Sequence, residues 1–80
     1  MIYNVYCIDD LKSVYMAPFI AASDGVAVRD FKLLLSRTDT PMHAYPADFR
    51  LMHIGTYDDK TGVLDSHVPE VVIDGKDCVD

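Results

Sequence analysis

The chain has 80 residues, of which 50% are hydrophobic and 25% are charged, and its formal net charge at pH 7 is -6. This composition excludes a disordered chain, and the length allows a single domain with a small core. The acidic charge argues against generic nucleic-acid binding, because such binding neutralises phosphates with basic side chains.

The charge is unevenly distributed along the chain. Residues 1–56 contain five basic and six acidic residues, whereas residues 57–80 contain two basic and seven acidic ones. The body is therefore nearly neutral and the C-terminal part is acidic. We expect a single α+β domain over residues 1–73, followed by an acidic, frayed tail over residues 74–80.

Two cysteines, Cys7 and Cys78, lie near opposite ends, and their spacing does not favour a disulfide bridge. No apolar run approaches the length of a membrane span, and no charged-then-apolar leader with a small-residue cleavage site is present. We therefore expect a reduced, soluble, intracellular protein that has no membrane partner.

The first predicted element is a strand over residues 2–8, which are rich in tyrosine, valine and isoleucine. Both of its faces are mostly apolar. This pattern predicts a central strand that is covered on both sides, or on one side by a partner chain. Pro18 then excludes a helix interior, so we predict a loop and a short edge strand near residues 19–21.

Ser23 and Asp24 predict the start of a helix. Ser23 can accept hydrogen bonds from the first-turn amides, and Asp24 suits the positive end of the helix dipole. The helix is predicted to end near Arg37, and its apolar residues follow the spacing of a core-facing stripe: Ala27, Phe31, Leu34 and Leu35. Residues 38–46 contain two prolines and are predicted to form a loop.

The second half of the chain is predicted to form a hairpin. Gly55 suggests a bulge or a close backbone approach within the first strand. The order from Asp58 to Gly62 suits a type I turn closed by a left-handed glycine. The return strand is predicted from residue 63, with a further short strand over residues 71–73. In the first strand of this hairpin, four side chains are expected to share one face: Phe49, Leu51, His53 and Tyr57.

Together these elements predict an α+β fold, a small antiparallel sheet of three to five strands with one amphipathic helix packed on one face. A chain this short buries only a small core. The helix covers one face of the sheet, and the strand over residues 2–8 has surplus aromatic residues that suggest a second copy covers another face. We therefore expect a homodimer or a higher oligomer.

No catalytic, metal or nucleotide motif is present. The histidines His43, His53 and His67 are far apart in the sequence, so we expect two loop histidines, one half-buried strand histidine and no metal site. Adjacent aspartates at strand ends point to opposite faces, and no glycine-rich phosphate loop occurs. We expect no cofactor, no small-molecule substrate and no enzymatic activity.

Basic and aromatic residues provide the candidate contacts. Tyrosine and phenylalanine can stack on single-stranded DNA, although in strands they more often pack in cores or interfaces. The basic residues Arg29, Lys32 and Arg50 would form one patch if the helix crosses the sheet suitably. We take these three as candidate nucleic-acid or partner contacts.

Several short motifs occur in a fixed order across most of the chain: Ile2-Tyr3-Asn4-Val5-Tyr6, Pro18-Phe19, Ala27-x-Arg29-x-Phe31, Pro46-x-Asp48-Phe49-x-Leu51, Ile54-Gly55-x-Tyr57-Asp58 and Thr61-Gly62. In these motifs the chain resembles the small nonstructural proteins of gokushovirus-type microviruses, which are phages with single-stranded circular DNA genomes. It departs from them at Lys12-Ser13-Val14, where glycine is usual, and in the acidic segment after residue 65.

The resemblance implies a phage accessory protein that acts in genome replication or packaging. Such a protein would lie in the host bacterial cytoplasm and be absent from the mature virion. The resemblance brings no catalytic residues. It marks framework positions, among which Gly55, Asp58 and Gly62 shape a bulge and a turn, and it leaves Arg29 as a contact residue on the helix.

Two hypotheses of function follow. In the first, the protein acts in replication or packaging by binding single-stranded DNA, a viral replication or packaging protein, or both. In the second, it is an acidic protein-interaction module that modulates a basic host or viral partner. The first predicts salt-sensitive strand binding that depends on Arg29 and Lys32. The second predicts no binding to single-stranded DNA and loss of the partner when Asp74, Asp77 and Asp80 are neutralised.

Overall fold

The structure is a computed structural model and describes residues 1–78. Two 3-10 turns, Pro46–Asp48 and Gly75–Asp77, accompany the regular elements. Those elements, in chain order, are β1 (Ile2–Asp10), β2 (Phe19–Ala21), α1 (Asp24–Ser36), α2 (Pro41–Ala44), β3 (Phe49–Asp58) and β4 (Leu64–Asp74).

The four strands form one sheet in the order β2-β1-β3-β4, and every neighbouring pair is antiparallel. This confirms the predicted α+β fold, with α1 as the one main helix. As the sequence predicts, β1 is a central strand, and β2 is a short strand at the edge, over residues 19–21.

The helix α1 begins and ends as its sequence predicts. The Ser23 hydroxyl accepts a hydrogen bond from the Val26 amide at 3.3 Å, and the helix ends at Ser36 with Arg37 as its C-cap. One side of α1 packs on the face of the sheet that carries Tyr6 and Ile8. The core contains nine buried residues: Tyr6, Ile8, Ala21, Ala27, Phe31, Leu35, Met42, Phe49 and Leu51.

The predicted loop over residues 38–46 is wrong in its middle, where α2 forms one helical turn. The Thr40 hydroxyl caps this turn by accepting from the His43 amide at 3.4 Å. Pro41 occupies the first helical position, where a missing N–H costs nothing. The turn buries Met42 in the core.

A bulge in β3 changes which side chains share a face. Val5 pairs with Gly55 and Tyr6 pairs with His53, so Ile54 has no partner on β1. The extra residue shifts the alternation of side chains beyond it. Phe49, Leu51 and His53 therefore face α1 as predicted, but the placement of Tyr57 with them is wrong. Tyr57 pairs with Tyr3 on the opposite face, which we call the open face.

The strand β4 is continuous, so the separate strand predicted over residues 71–73 is wrong. Its register slips instead: Gly55 pairs with Ser66 and His53 with Glu70, which leaves residues 67–69 outside the ladder. Pro69 has no N–H to donate and fits such a bulge on an edge strand.

The segment predicted to be a frayed tail begins within β4, which ends at Asp74. Gly75 is buried, because the lack of a side chain lets its backbone lie against the carbonyl groups of Pro46 and Phe49. Cys78 packs against the core. The last two residues of that predicted tail, 79 and 80, lie outside the described residues. Neither helix within residues 1–78 has the length and apolar character needed to cross a membrane.

Candidate functional site

The three predicted basic contacts lie on two different sides of the molecule. Arg29 and Lys32 are both exposed and lie three residues apart on the outer side of α1, so their side chains are neighbours. Neither of them forms an ion pair with any of the residues 1–78. Arg50 lies on the open face of the sheet and does not join them, so the structure yields a patch of two.

Arg50 has a partner within the chain. Its Nη2 atom lies 3.1 Å from Oδ2 of Asp9, its cross-strand neighbour on β1. Asp9 is only 8% exposed, so the guanidinium neutralises a carboxylate that water hardly reaches. The Arg50 Nε atom is buried without a hydrogen-bond partner. This environment indicates that Arg50 stabilises the sheet.

The three predicted framework residues lie at the hairpin turn and at the bulge, with the positive φ and the close approach that their sequence suggests but with a different turn. Gly62 has a φ of 74°, and its amide donates to the Asp58 carbonyl at 2.8 Å. This hydrogen bond joins residues four positions apart, whereas the bond of the predicted type I turn joins residues three positions apart. Gly55 lies against the Asp65 carbonyl group, where a β-carbon would collide with the oxygen. These residues shape the hairpin.

A polar cleft of about 670 Å³ lies between the beginning of α1 and the middle of the sheet. It is the second candidate site, and the sequence does not predict it. Its lining residues come from α1 and the segment before it and from three strands: Asn4, Ala22, Ser23, Asp24, Gly25, His53, Glu70, Val71 and Val72.

Tyr6 joins the sheet to the helix beside this cleft. Its side chain is fully buried, and its hydroxyl donates to Asp24 Oδ1 at 2.5 Å. Burial, then the hydrogen bond to Asp24 and the charge of that carboxylate, raise the pKa of Tyr6 well above its ordinary value. The phenol therefore stays protonated and holds Asp24 at the start of α1.

The imidazoles of His53 and His67 meet through their nitrogen atoms. Nδ1 of His53 lies 2.7 Å from Nε2 of His67, with ring centres 4.8 Å apart and planes at 19°. A distance of 2.7 Å is shorter than any contact between stacked ring faces, which needs about 3.5 Å. The two rings are therefore joined edge to edge by a hydrogen bond across β3 and β4.

Further contacts fix both rings. His67 Nδ1 lies 2.6 Å from the Val68 carbonyl oxygen, and His53 Nε2 lies 3.0 Å from Asn4 Oδ1. The Tyr6 ring meets His53 edge to face, with centres 5.2 Å apart. The pair is therefore held in one orientation from both ends.

The expectation of separate histidines is wrong for this pair. His67 lies on β4 and His43 on α2, so neither is a loop histidine, whereas His53 is half-buried on its strand as predicted. The pairs beside the turn, Tyr57 with Leu64 and Thr56 with Asp65, would place His67 opposite Ile54 if the register continued, so the sequence carries no signal for the meeting of His53 and His67. Within residues 1–78 no group of three metal-ligating side chains converges.

Comparison with known proteins identifies one family. A family model described as Phage ORF5 protein matches residues 3–78, which is nearly the whole chain. No curated protein and no solved structure matches the chain significantly.

Proposed function

The chain belongs to the Phage ORF5 protein family, and we propose that it is a non-enzymatic, nonstructural accessory protein of a gokushovirus-type microvirus. In this proposal it acts in the host cytoplasm, in replication or packaging of the single-stranded genome. It does so by binding single-stranded DNA, a viral protein, or both. The motifs shared with that group of phages support the narrower assignment.

The observation that carries the DNA-binding proposal is the pair of exposed basic residues on α1. Arg29 and Lys32 have no acidic partner among residues 1–78, so both charges are available to phosphate groups. Each neutralised phosphate of a single strand releases counterions, which makes binding salt-dependent. The net charge of -6 opposes generic contact with nucleic acid and predicts modest affinity.

Fluorescence anisotropy with a labelled single-stranded oligonucleotide at low salt tests this proposal. The double variant Arg29→Glu/Lys32→Glu is expected to weaken binding at least tenfold. The double variant Lys12→Glu/Lys60→Glu is the matched control, because it makes the same charge change in two loops outside α1. If the parent protein does not bind the oligonucleotide, or if both double variants weaken binding equally, the basic patch is not a DNA contact.

The acidic C-terminal part supports a second candidate function, the binding of a basic partner. Asp65, Glu70 and Asp77 are exposed and form no ion pair within residues 1–78. Calorimetry with a lysine-rich peptide tests this candidate. Binding that is lost in Asp65→Asn/Glu70→Gln/Asp77→Asn, together with no binding to single-stranded DNA, would favour it over the first.

We also propose that copies of the chain associate through the open face. Three apolar residues on this face remain exposed, Ile20 at 50%, Leu64 at 63% and Val71 at 50%. An apolar groove of about 280 Å³ runs beside Ile20 and Leu64. Sedimentation velocity at micromolar concentration should show a dimer or larger species that Leu64→Lys disrupts. A clean monomer would count against association.

A further inference from the structure

A continuous row of hydrogen-bond contacts crosses the sheet at the polar cleft. It begins at the Val68 carbonyl oxygen, passes through His67, His53 and Asn4, and ends at the Ala22 carbonyl oxygen. The four contacts measure 2.6, 2.7, 3.0 and 3.3 Å. Each contact needs one hydrogen atom between its two heavy atoms.

The supply of hydrogen atoms can be counted. Both ends of the row are carbonyl oxygens, which only accept. A neutral imidazole carries one N–H, and the Asn4 amide serves one of its two contacts, whichever way it is turned. Two neutral histidines and one amide therefore supply three hydrogens for four contacts. When both histidines are neutral, one of the four contacts therefore has no hydrogen, and two lone pairs face each other there.

One added proton corrects this deficit. With Nε2 of His53 protonated, that ring donates to Asn4 and to His67, while His67 donates to Val68 and Asn4 donates to Ala22. A second proton reverses the situation, because Nε2 of His67 then carries a hydrogen as well. Two N–H groups, each on a cationic ring, would face each other across 2.7 Å.

From this count we propose that His53 and His67 form a proton-operated latch between β3 and β4. The latch is closed when the pair carries one proton more than its neutral form, and it opens when the pair carries two more. The histidine pair holds a part of β4 that lacks other support from β3. Residues 67–69 have no ladder partner on β3, and Val68 is 83% exposed. Opening the latch frees this bulge.

The charged side chains beside the pair are acidic. Besides the two histidines, three titratable groups lie near the row: Asp24 from α1 and Glu70 from β4 line the cleft with His53, and the Tyr6 ring from β1 contacts His53. Asp24 and Glu70 are both acidic, and no lysine or arginine of the described residues 1–78 lines the cleft. One imidazolium is therefore attracted to its surroundings, whereas a second adds repulsion within the pair.

Nuclear magnetic resonance of ¹⁵N-labelled imidazoles in the intact protein, between pH 4.5 and 8.5, tests the latch. His53 and His67 are expected to change together in two separated steps, because each proton belongs to the pair. His43 is the internal control, since within residues 1–78 its ring forms one hydrogen-bond contact, with the Leu35 carbonyl oxygen at 3.0 Å, and it should change independently of the pair. Independent single steps for His53 and His67 would overturn the proposal.

Amide hydrogen exchange provides a second readout that does not depend on assigning the proton. After correction for the intrinsic pH dependence of exchange, amides of residues 66–71 should exchange at least tenfold faster in the doubly protonated state. In His67→Phe this pH-dependent change should vanish, and in His43→Phe it should persist. If His67→Phe does not fold, the parent titration alone still decides. Equal exchange in both protonation states would contradict the latch.

Discussion

The phenol of Tyr6 donates a hydrogen bond to the carboxylate of Asp24 and thereby joins the central strand to the first turn of α1. The donor residue is fully buried, while the acceptor lies at the exposed end of the helix. The bond therefore fixes where α1 begins relative to the sheet. The polar cleft depends on that position, because Asp24 forms part of its wall.

The first prediction concerns this bond. Tyr6→Phe should keep the ring in the core but lower the free energy of unfolding by about 1.5–3 kcal/mol, the range for hydrogen bonds to charged groups. Urea unfolding measures the loss. Tyr45→Phe, at an exposed tyrosine, is the matched control and should change stability little. Equal stability of parent and Tyr6→Phe would show that the bond contributes nothing.

The second prediction is a loss of stability at alkaline pH. Burial raises the pKa of the Tyr6 phenol and of the Cys7 thiol in the folded protein. The unfolded chain ionises these groups first, near pH 8.5 for cysteine and about pH 10 for tyrosine. Their contribution is thus complete below those values and is lost as the pH rises above them.

Urea midpoints at pH 7, 9 and 10.5 measure this loss for the parent and for Tyr6→Phe. The variant should lose less stability than the parent between pH 9 and 10.5, since it lacks the titrating phenol. Parallel curves for the two proteins in that interval would rule out Tyr6 as the cause.

The third prediction concerns the two glycines of the hairpin. Gly62→Val should lower the free energy of unfolding by about 1–2 kcal/mol, because valine resists a positive φ. Gly55→Ala should be costlier still, because its β-carbon would collide with the Asp65 carbonyl oxygen. Gly25→Ala is the control: its β-carbon would meet only Ser23 Oγ, at 3.8 Å. Thermal melting ranks the three variants, and an unchanged melting temperature for Gly62→Val would refute the turn geometry.

The fourth prediction assigns Arg50 to stability. Arg50→Met leaves the carboxylate of Asp9 buried without its partner, which should cost about 2 kcal/mol, less than for a fully buried pair because Arg50 is partly exposed. Asp9→Leu/Arg50→Met should recover part of this loss. Denaturant unfolding of the single and double variants gives the coupling between the two residues. Additive effects would indicate that the ion pair is unimportant.

The sequence was sufficient for the parts of the fold that local chemistry determines. Ser23 marks the start of α1, and Gly62 marks the hairpin turn through its positive φ. It failed for α2 because two prolines suggested a loop, whereas Thr40 and Pro41 together form a helix start. Local signals of this kind are ambiguous when they point to both a turn and a cap.

The candidate site could not be predicted, because it depends on strand register. The bulge at Ile54 moves Tyr57 to the open face, and a pattern of alternating residues does not reveal where a bulge falls. The pairing of His53 with His67 depends on that bulge and on the one in β4. Two residues fourteen positions apart meet only because both register shifts occur.

The salt dependence of single-stranded DNA binding tests the central claim most directly, which is that the exposed pair Arg29 and Lys32 contacts DNA phosphates. The slope of log affinity against log salt concentration should be shallower by about 1.4 in Arg29→Ala/Lys32→Ala than in the parent, because each lost phosphate contact removes about 0.7. The control Lys12→Ala/Lys60→Ala should keep the parent slope. A parent protein that does not bind, or an unchanged slope in Arg29→Ala/Lys32→Ala, would contradict the claim.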